Sequence, residues 1–183
     1  MRSILRGAFG LMLAAAVVPS VSHAQKTTPV HFGVLAGLTL PLGDYGDAAD
    51  AGYHLGALAD FKFSGSPVGL RIDGQWHRNG LKDIDGNGDI LFGAASLTAE
   101  SNNPTSSVSP YVLGGVGIYH VKATVKVNDV DVSDSENKAG FNVGAGLKFK
   151  LSGFNTFLEA RYHYISTEGS STSFLPISFG IIF

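Results

Sequence analysis

The stretch Asp83–Ile90, DIDGNGDI, sets oxygen donors at alternate positions: Asp83, Asp85, Asn87 and Asp89. Alternate ligands with a turn glycine are how a calcium loop converges on one cation, and Gly88 and Ile90 complete the look of its first eight positions. A second set, His163, Ser166 and Glu168, holds the residue types of a serine hydrolase. That chemistry needs the serine within hydrogen-bond reach of the histidine, and a third group to orient the ring. The third set is larger and mixes both signs: Asp60, Arg71, Asp73, Gln75, His77, Lys148, Glu159, Arg161 and His163. Charges withdrawn from water must pair, and inside a membrane they also mark ion paths.

The elements that carry these sets decide between such readings. Counted from Asp83, the twelfth position is Ala94, where a calcium loop needs a bidentate glutamate. Its flanks, RIDGQWH and ILFGAASL, read as strands rather than helices. The stretch is therefore expected to be an outer β-loop with Asn87-Gly88 at the turn centre and Ile90 starting the next strand. Asp83, Asp85, Asn87 and Asp89 stay candidates for no more than a weak surface cation site. Ser166 follows His163 by three positions, which puts the two on opposite faces of a regular strand. The histidines after the first, His31, His54, His77, His120 and His163, fall on separate segments without the short spacing of a zinc site. No cofactor, metal centre or catalytic site is expected.

Residues 1–24 have the layout of a secretory signal peptide. Arg2 and Arg6 precede an apolar run from Ala8 to Val18, and Ser22-His23-Ala24 ends it with cleavage expected before Gln25. The run is too short to span a bilayer as a helix. Residues 25–183 then form one domain without a cysteine. Of the 13 Lys+Arg and 15 Asp+Glu in the whole chain, only Arg2 and Arg6 leave with the signal, so the mature charge is −4. Nucleic-acid binding, which needs a clustered basic face, is not expected.

Period-two alternation dominates from residue 30 onward. Phe32, Val34, Ala36, Leu38 and Leu40 share one face; so do Tyr53, Leu55, Ala57, Ala59, Phe61 and Phe63, opposite His54, Asp60 and Lys62. Val68, Leu70, Ile72 and Trp76 oppose Arg71, Asp73, Gln75 and His77. ILFGAASLTAE (90–100) and YVLGGVGIYHV (111–121) are apolar and glycine-rich at both parities, without a polar face. Phe141, Val143, Ala145, Leu147 and Phe149 then oppose Asn142 and Lys148, and Leu158, Ala160, Tyr162 and Tyr164 oppose Glu159, Arg161 and His163. Alternation of this strictness means strands, eight in all. Polar loops are expected at 41–50, 78–89, 122–138 and 166–173, with tighter turns at 64–67, 101–110 and 152–155 between them.

Eight antiparallel strands close either a soluble barrel, apolar inside, or a membrane barrel, apolar outside. Aromatic residues near strand ends (Tyr53, Phe63, Trp76, Phe149, Tyr162, Tyr164, Phe183) suit interfacial girdles. The last strand, FLPISFGIIF, alternates through Ile177, Phe179, Ile181 and Phe183. With GVLAGLTLPLGDYGD, SPYVLGGVGIYHVK, KAGFNVGAGLKF and NTFLEARYHYISTEGSS, it resembles the small bacterial outer-membrane β-barrel family, porin-like and opacity/OmpA-like, over about Val30 to Phe183. The resemblance implies an all-β, eight-stranded, up-and-down transmembrane barrel in the bacterial outer membrane with both termini in the periplasm. It makes Ile177, Phe179, Ile181 and Phe183 the signal read by the barrel-assembly machinery. Lipid and lipopolysaccharide surround a barrel of that kind, which is expected to be a monomer. The chain ends at its last strand, so no periplasmic peptidoglycan-binding domain is expected.

An eight-stranded barrel is just wide enough for side chains to fill it. The mixed-sign set is then a lumen network, and the function expected is structural or loop-mediated binding. Two alternatives stand beside it: a narrow porin-like channel through that network, and a lipid A deacylase built on His163, Ser166 and Glu168. In family members of the second kind the serine lies two residues after the histidine, where here it lies three. Asp44, Asp47, Asp50, Asp129, Asp131, Asp134 and Glu136 add to the acidic outer loops.

Overall fold

The computed structural model describes residues 30–183 except Ile84, Asn102, Pro104, 128–129 and 168–169. The expected signal peptide, Asp129 and Glu168 therefore lie outside the described residues. The chain runs β1 (Val30–Leu42), α1 (Gly43–Ala48), β2 (Gly52–Lys62), β3 (Val68–Gly80), β4 (Gly86–Glu100), β5 (Val108–Val127), β6 (Val130–Lys150), β7 (Asn155–Thr167) and β8 (Ser170–Ile182). Each strand pairs antiparallel with the next, and β8 closes on β1 through pairs from Gly33–Ile182 to Leu42–Ser173.

The alternation seen in the sequence is the inside–outside pattern of this barrel, inverted relative to a water-soluble one. Ile118 and Val116 on the outer wall are 69% and 67% exposed, whereas Arg71 and Glu159 inside are 0% and 2% exposed. An apolar exterior of that kind is stable against lipid and costly against water. Two apolar clusters fill the lumen beside the charges. Leu35, Leu58, Tyr111, Leu113, Phe157 and Ile182 pack toward the end with the short turns. Ile90, Phe92, Ala94, Tyr119, Ile165 and Phe174 pack toward the opposite end, which carries the long hairpins. Inward-facing glycines make room for the rings: a methyl on Gly140 would sit 2.8 Å from Tyr119 Cε2, and one on Gly180 would meet the Phe157 ring.

The structure corrects the expected loops. Strands run well past the apolar band, so Asn87 and Gly88 are not a turn centre but pair within β4 against Gly80 and Asn79. Strand β4 starts at Gly86 rather than Ile90, and the chain reverses before it, where Asp83 takes a positive φ of 61°. The expected loop at 122–138 is a β-hairpin, paired from Lys122–Ser135 to Val127–Val130. The loop at 166–173 is likewise a hairpin, paired at Ser166–Ser171. Strands this far from lipid have polar residues on both faces, which removes the contrast that betrays a strand in sequence. The first outer connection, expected as a loop, contains the short helix α1. Tyr45 on that helix packs against the outer apolar cluster, and Lys82 Nζ donates to Gly46 O at 2.6 Å. Burial first, and then the charge of Asp89, push the Tyr45 phenol up to about 12.

Candidate functional site: the charged lumen

All nine residues of the mixed-sign set are buried within the barrel. In a closed ring of eight strands, β3 and β7 stand opposite each other. Strand β3 points Arg71 and Asp73 inward, and β7 points Glu159 and Arg161 inward. Both strands run the same way, so the two pairs, each spaced two residues apart, meet in register with opposite signs. Arg71 Nη1 donates to Glu159 Oε2 at 2.7 Å, and Arg161 Nη1 donates to Asp73 Oδ2 at 2.9 Å. These two bridges cross the lumen.

Neighbouring side chains complete the network. Arg71 holds Asp60 of β2 with its fork, Nε to Oδ1 at 2.7 Å and Nη2 to Oδ2 at 3.0 Å. Glu159 accepts on both oxygens: Oε2 also takes the Tyr111 hydroxyl at 2.7 Å, and Oε1 takes Arg161 Nε and Nη2 at 2.9 and 2.7 Å. Gln75 Nε2 donates to Asp73 Oδ2 at 2.8 Å. Toward the short turns, Lys148 Nζ lies 3.7 Å from Asp60 and donates to Glu100 at 2.8 Å, and Lys62 reaches the same Glu100 at 3.0 Å. The Arg71 guanidinium also stacks between the rings of Tyr111 and Phe157, at 5.5 and 5.4 Å. Asp60, Asp73, Glu159 and Glu100 balance Arg71, Arg161, Lys148 and Lys62, so this network carries no net charge. Fork geometry and charge balance are the two conditions under which buried ion pairs are tolerated.

Outward of this network lies a layer of histidines. Thr39 Oγ1 stands 3.1 Å from His54 Nδ1 and 2.7 Å from His77 Nδ1. One hydroxyl proton serves only one of the two, so at least one ring carries its own proton on Nδ1. His54 Nε2 meets Ser178 Oγ at 2.9 Å, and His163 Nδ1 meets Tyr119 Oη at 2.9 Å. His54 stacks on His77 with centroids 4.8 Å apart, and His163 stacks on Phe174 at 4.7 Å. Separate in sequence, three histidines are thus brought together, each anchored by a hydroxyl. Among the described residues no group of three or more His, Cys, Asp or Glu is placed to hold a metal.

The other candidate sets do not assemble. Asp83 and Asp85 are exposed in the turn, Asn87 pairs within the strand, and Asp89 stands 3.6 Å from Arg78. Ser166 is exposed while His163 is fully buried in the lumen, so the two cannot share a proton in this arrangement. Ile177, Phe179 and Phe183 are exposed on the outer wall, and the Phe183 amide donates to Phe32 O at 2.8 Å. Sequence reasoning left Tyr111, Tyr119, Thr39, His54, Ser178 and Glu100 out of the lumen set. His54 could have been found, because it shares the inward parity of Asp60; the two tyrosines sit on β5, whose faces are both apolar.

No curated protein sequence matches this chain. The family model for the outer membrane protein beta-barrel domain matches residues 11–183. Among solved structures the fold is similar to Neisserial surface protein A, with a TM-score of 0.63 at 17% identity over 84% of this chain and 95% of that one. It is similar to a major outer membrane protein from Thermus thermophilus, with a TM-score of 0.62 at 12% identity over 85% and 99%. The outer membrane enzyme PagL gives 0.53 at 19% identity over 84% and 98%. At these identities the likeness is one of fold.

Proposed function

The chain belongs to the outer membrane protein beta-barrel family, and on that premise we propose that it is a monomeric, non-enzymatic outer-membrane anchor. It presents its outer hairpins for binding and lets no solute through its lumen. The observation that carries this reading is the pair of crossed bridges, Arg71–Glu159 and Arg161–Asp73, which occupy the middle of the barrel. A diffusion pore needs a water-filled centre, and here the centre is spanned by side chains. The binding surface is the β5–β6 hairpin, where Lys122, Val132, Asp134, Glu136 and Asn137 are exposed. Loops and hairpin tips on a rigid scaffold are where binding is usually built. The outward row Ile177, Phe179, Ile181 and Phe183 is the surface that the barrel-assembly machinery reads during insertion.

The chain has no cysteine, so single cysteines report orientation cleanly. Asp134→Cys in the hairpin is expected to react with a membrane-impermeant maleimide on intact cells. Ser152→Cys, in the turn after β6, is expected to react only once the cells are permeabilised. The reverse pattern, or recovery of the protein in the soluble periplasmic fraction without detergent, contradicts the proposal.

A further inference from the structure

Three buried imidazoles stand between the crossed bridges and the hairpin end of the lumen. His163 follows Arg161 by two residues on β7, and His77 follows Asp73 by four on β3. His54 of β2 is the direct cross-strand partner of His77. The rings are at most 2% exposed. Among the described residues no carboxylate hydrogen-bonds any of them; their partners are the hydroxyls of Thr39, Ser178 and Tyr119. The Nε2 atoms of His77 and His163 meet no partner.

What faces the rings offers a proton no counter-charge. Strand β7 presents Arg161 and Glu159, and β3 presents Asp73; both carboxylates are already held by guanidinium groups. Strand β2 places Asp60 six residues from His54, in the fork of Arg71. The other titratable groups are the phenols of Tyr119 on β5 and Tyr45 on α1. Strands β1, β4, β6 and β8 contribute Thr39, Phe92, Asn142, Phe174 and Ser178, which do not titrate. An imidazolium carries a proton on both nitrogens, so at His77 and His163 it would leave Nε2–H without an acceptor. It would also set like charges 4.8 Å apart between His54 and His77, and 6.4 Å apart between His77 and His163. Away from bulk water that repulsion is costly.

One element at this end is lightly held. The strands close a ring, whereas α1 is six residues long, has no side-chain cap at its start and contains no buried residue. Two contacts join it to the histidines. Asn79, two residues beyond His77, donates to Thr39 O at 3.4 Å and to Asp50 O at 2.8 Å. The residue that anchors two of the rings is thereby tied to the end of the helix. Tyr45 packs on the cluster whose Phe92 and Phe174 stack on His77 and His163.

We propose that α1 is an acid-released lid: proton uptake by His54, His77 and His163 frees the helix from the barrel mouth, while the crossed bridges below keep the lumen shut. The closed form holds the rings uncharged. The open form hydrates them, and hydrated imidazoles take up protons as the pH falls through about 6.5. Each proton bound by the open form alone multiplies its population about tenfold per pH unit below that value. The lid is closed above about pH 7 and released below it.

The full mature chain is refolded in dodecylmaltoside as Ala49→Cys, which sets a lone thiol at the end of α1, where Ala49 is 2% exposed. Its reaction with 4,4′-dithiodipyridine, which also proceeds in acid, is followed from about pH 8 to about pH 5. Each rate is divided by that of Asp47→Cys, at an exposed position of the same helix. The ratio is expected to rise about tenfold or more over that range, with the barrel still folded by its heat-modifiable gel shift. On the Ala49→Cys background, His77→Gln/His163→Gln is expected to shrink the rise severalfold. So is His163→Phe, which keeps a flat ring stacked on Phe174 and secures a folded histidine variant. Asn79→Ala cuts the tie from Thr39 to Asp50 and is expected to raise the ratio already at about pH 8. A ratio that stays flat with pH overturns the proposal, as does an undiminished rise in the folded histidine variants. So do an unchanged ratio in Asn79→Ala and an acid rise that coincides with unfolding of the whole barrel.

Discussion

Glu159→Ala is expected to remove about 3–5 kcal/mol of unfolding free energy, measured by urea titration from phospholipid vesicles. The size follows from what the carboxylate holds. It accepts from Arg71, Arg161 and Tyr111, so its loss leaves two buried guanidinium groups sharing Asp60 and Asp73. The lumen acquires one net positive charge away from bulk water, and an uncompensated buried charge costs more than the pair contributed. Glu159→Gln keeps two acceptor positions and is expected to lose less. Removing Arg161 as well, in Glu159→Ala/Arg161→Ala, restores charge balance, so the double variant should be more stable than the two single losses added together. Strict additivity would mean that the bridges are independent, and would contradict a single coupled network.

The second large effect is steric. Gly180 faces inward on β8, and an added Cβ there would meet Cε1 and Cζ of Phe157 and lie 2.8 Å from Val34 O. Phe157 is fully buried and backs the Arg71 guanidinium, so it has little room to yield. Overpacking at such a site costs about 1–3 kcal/mol, and Gly180→Ala is expected within that range or slightly above it. The outward-facing Gly93 is the control: a methyl there meets nothing, and Gly93→Ala should stay within about 0.5 kcal/mol of the parent. Equal losses at the two glycines would show that backbone freedom, not lumen space, explains why glycine stands at position 180.

Much of the barrel is legible in the sequence where the bilayer imposes contrast. On β2, β3, β6 and β7 the apolar and polar residues alternate because one side meets lipid and the other meets charge. Strands β4 and β5 hide their faces, since Ile90, Phe92, Tyr111, Leu113 and Tyr119 point inward and are as apolar as the residues outside. The outer hairpins hide for the opposite reason: around Val132–Lys138 neither face meets lipid, and a strand there reads as a polar loop. Parity places Arg71, Asp73, Glu159 and Arg161 inside, but not against one another. Their pairing depends on β3 and β7 being opposite in a ring of eight, a fact of closure rather than of local pattern. The calcium-like DIDGNGDI illustrates the limit of local reading, because its alternate carboxylates follow from strand ends flanking a turn and do not converge.

The central claim is that the lumen is closed by charge pairs, and single-channel recording in a planar bilayer tests it most directly. The purified barrel is expected to give no steady conductance above the bare membrane at neutral pH, in low salt or in high. A steady, large, ohmic conductance from the folded, heat-modifiable protein would contradict the account, which reads the bridges from Arg71 to Glu159 and from Arg161 to Asp73 as closing the lumen.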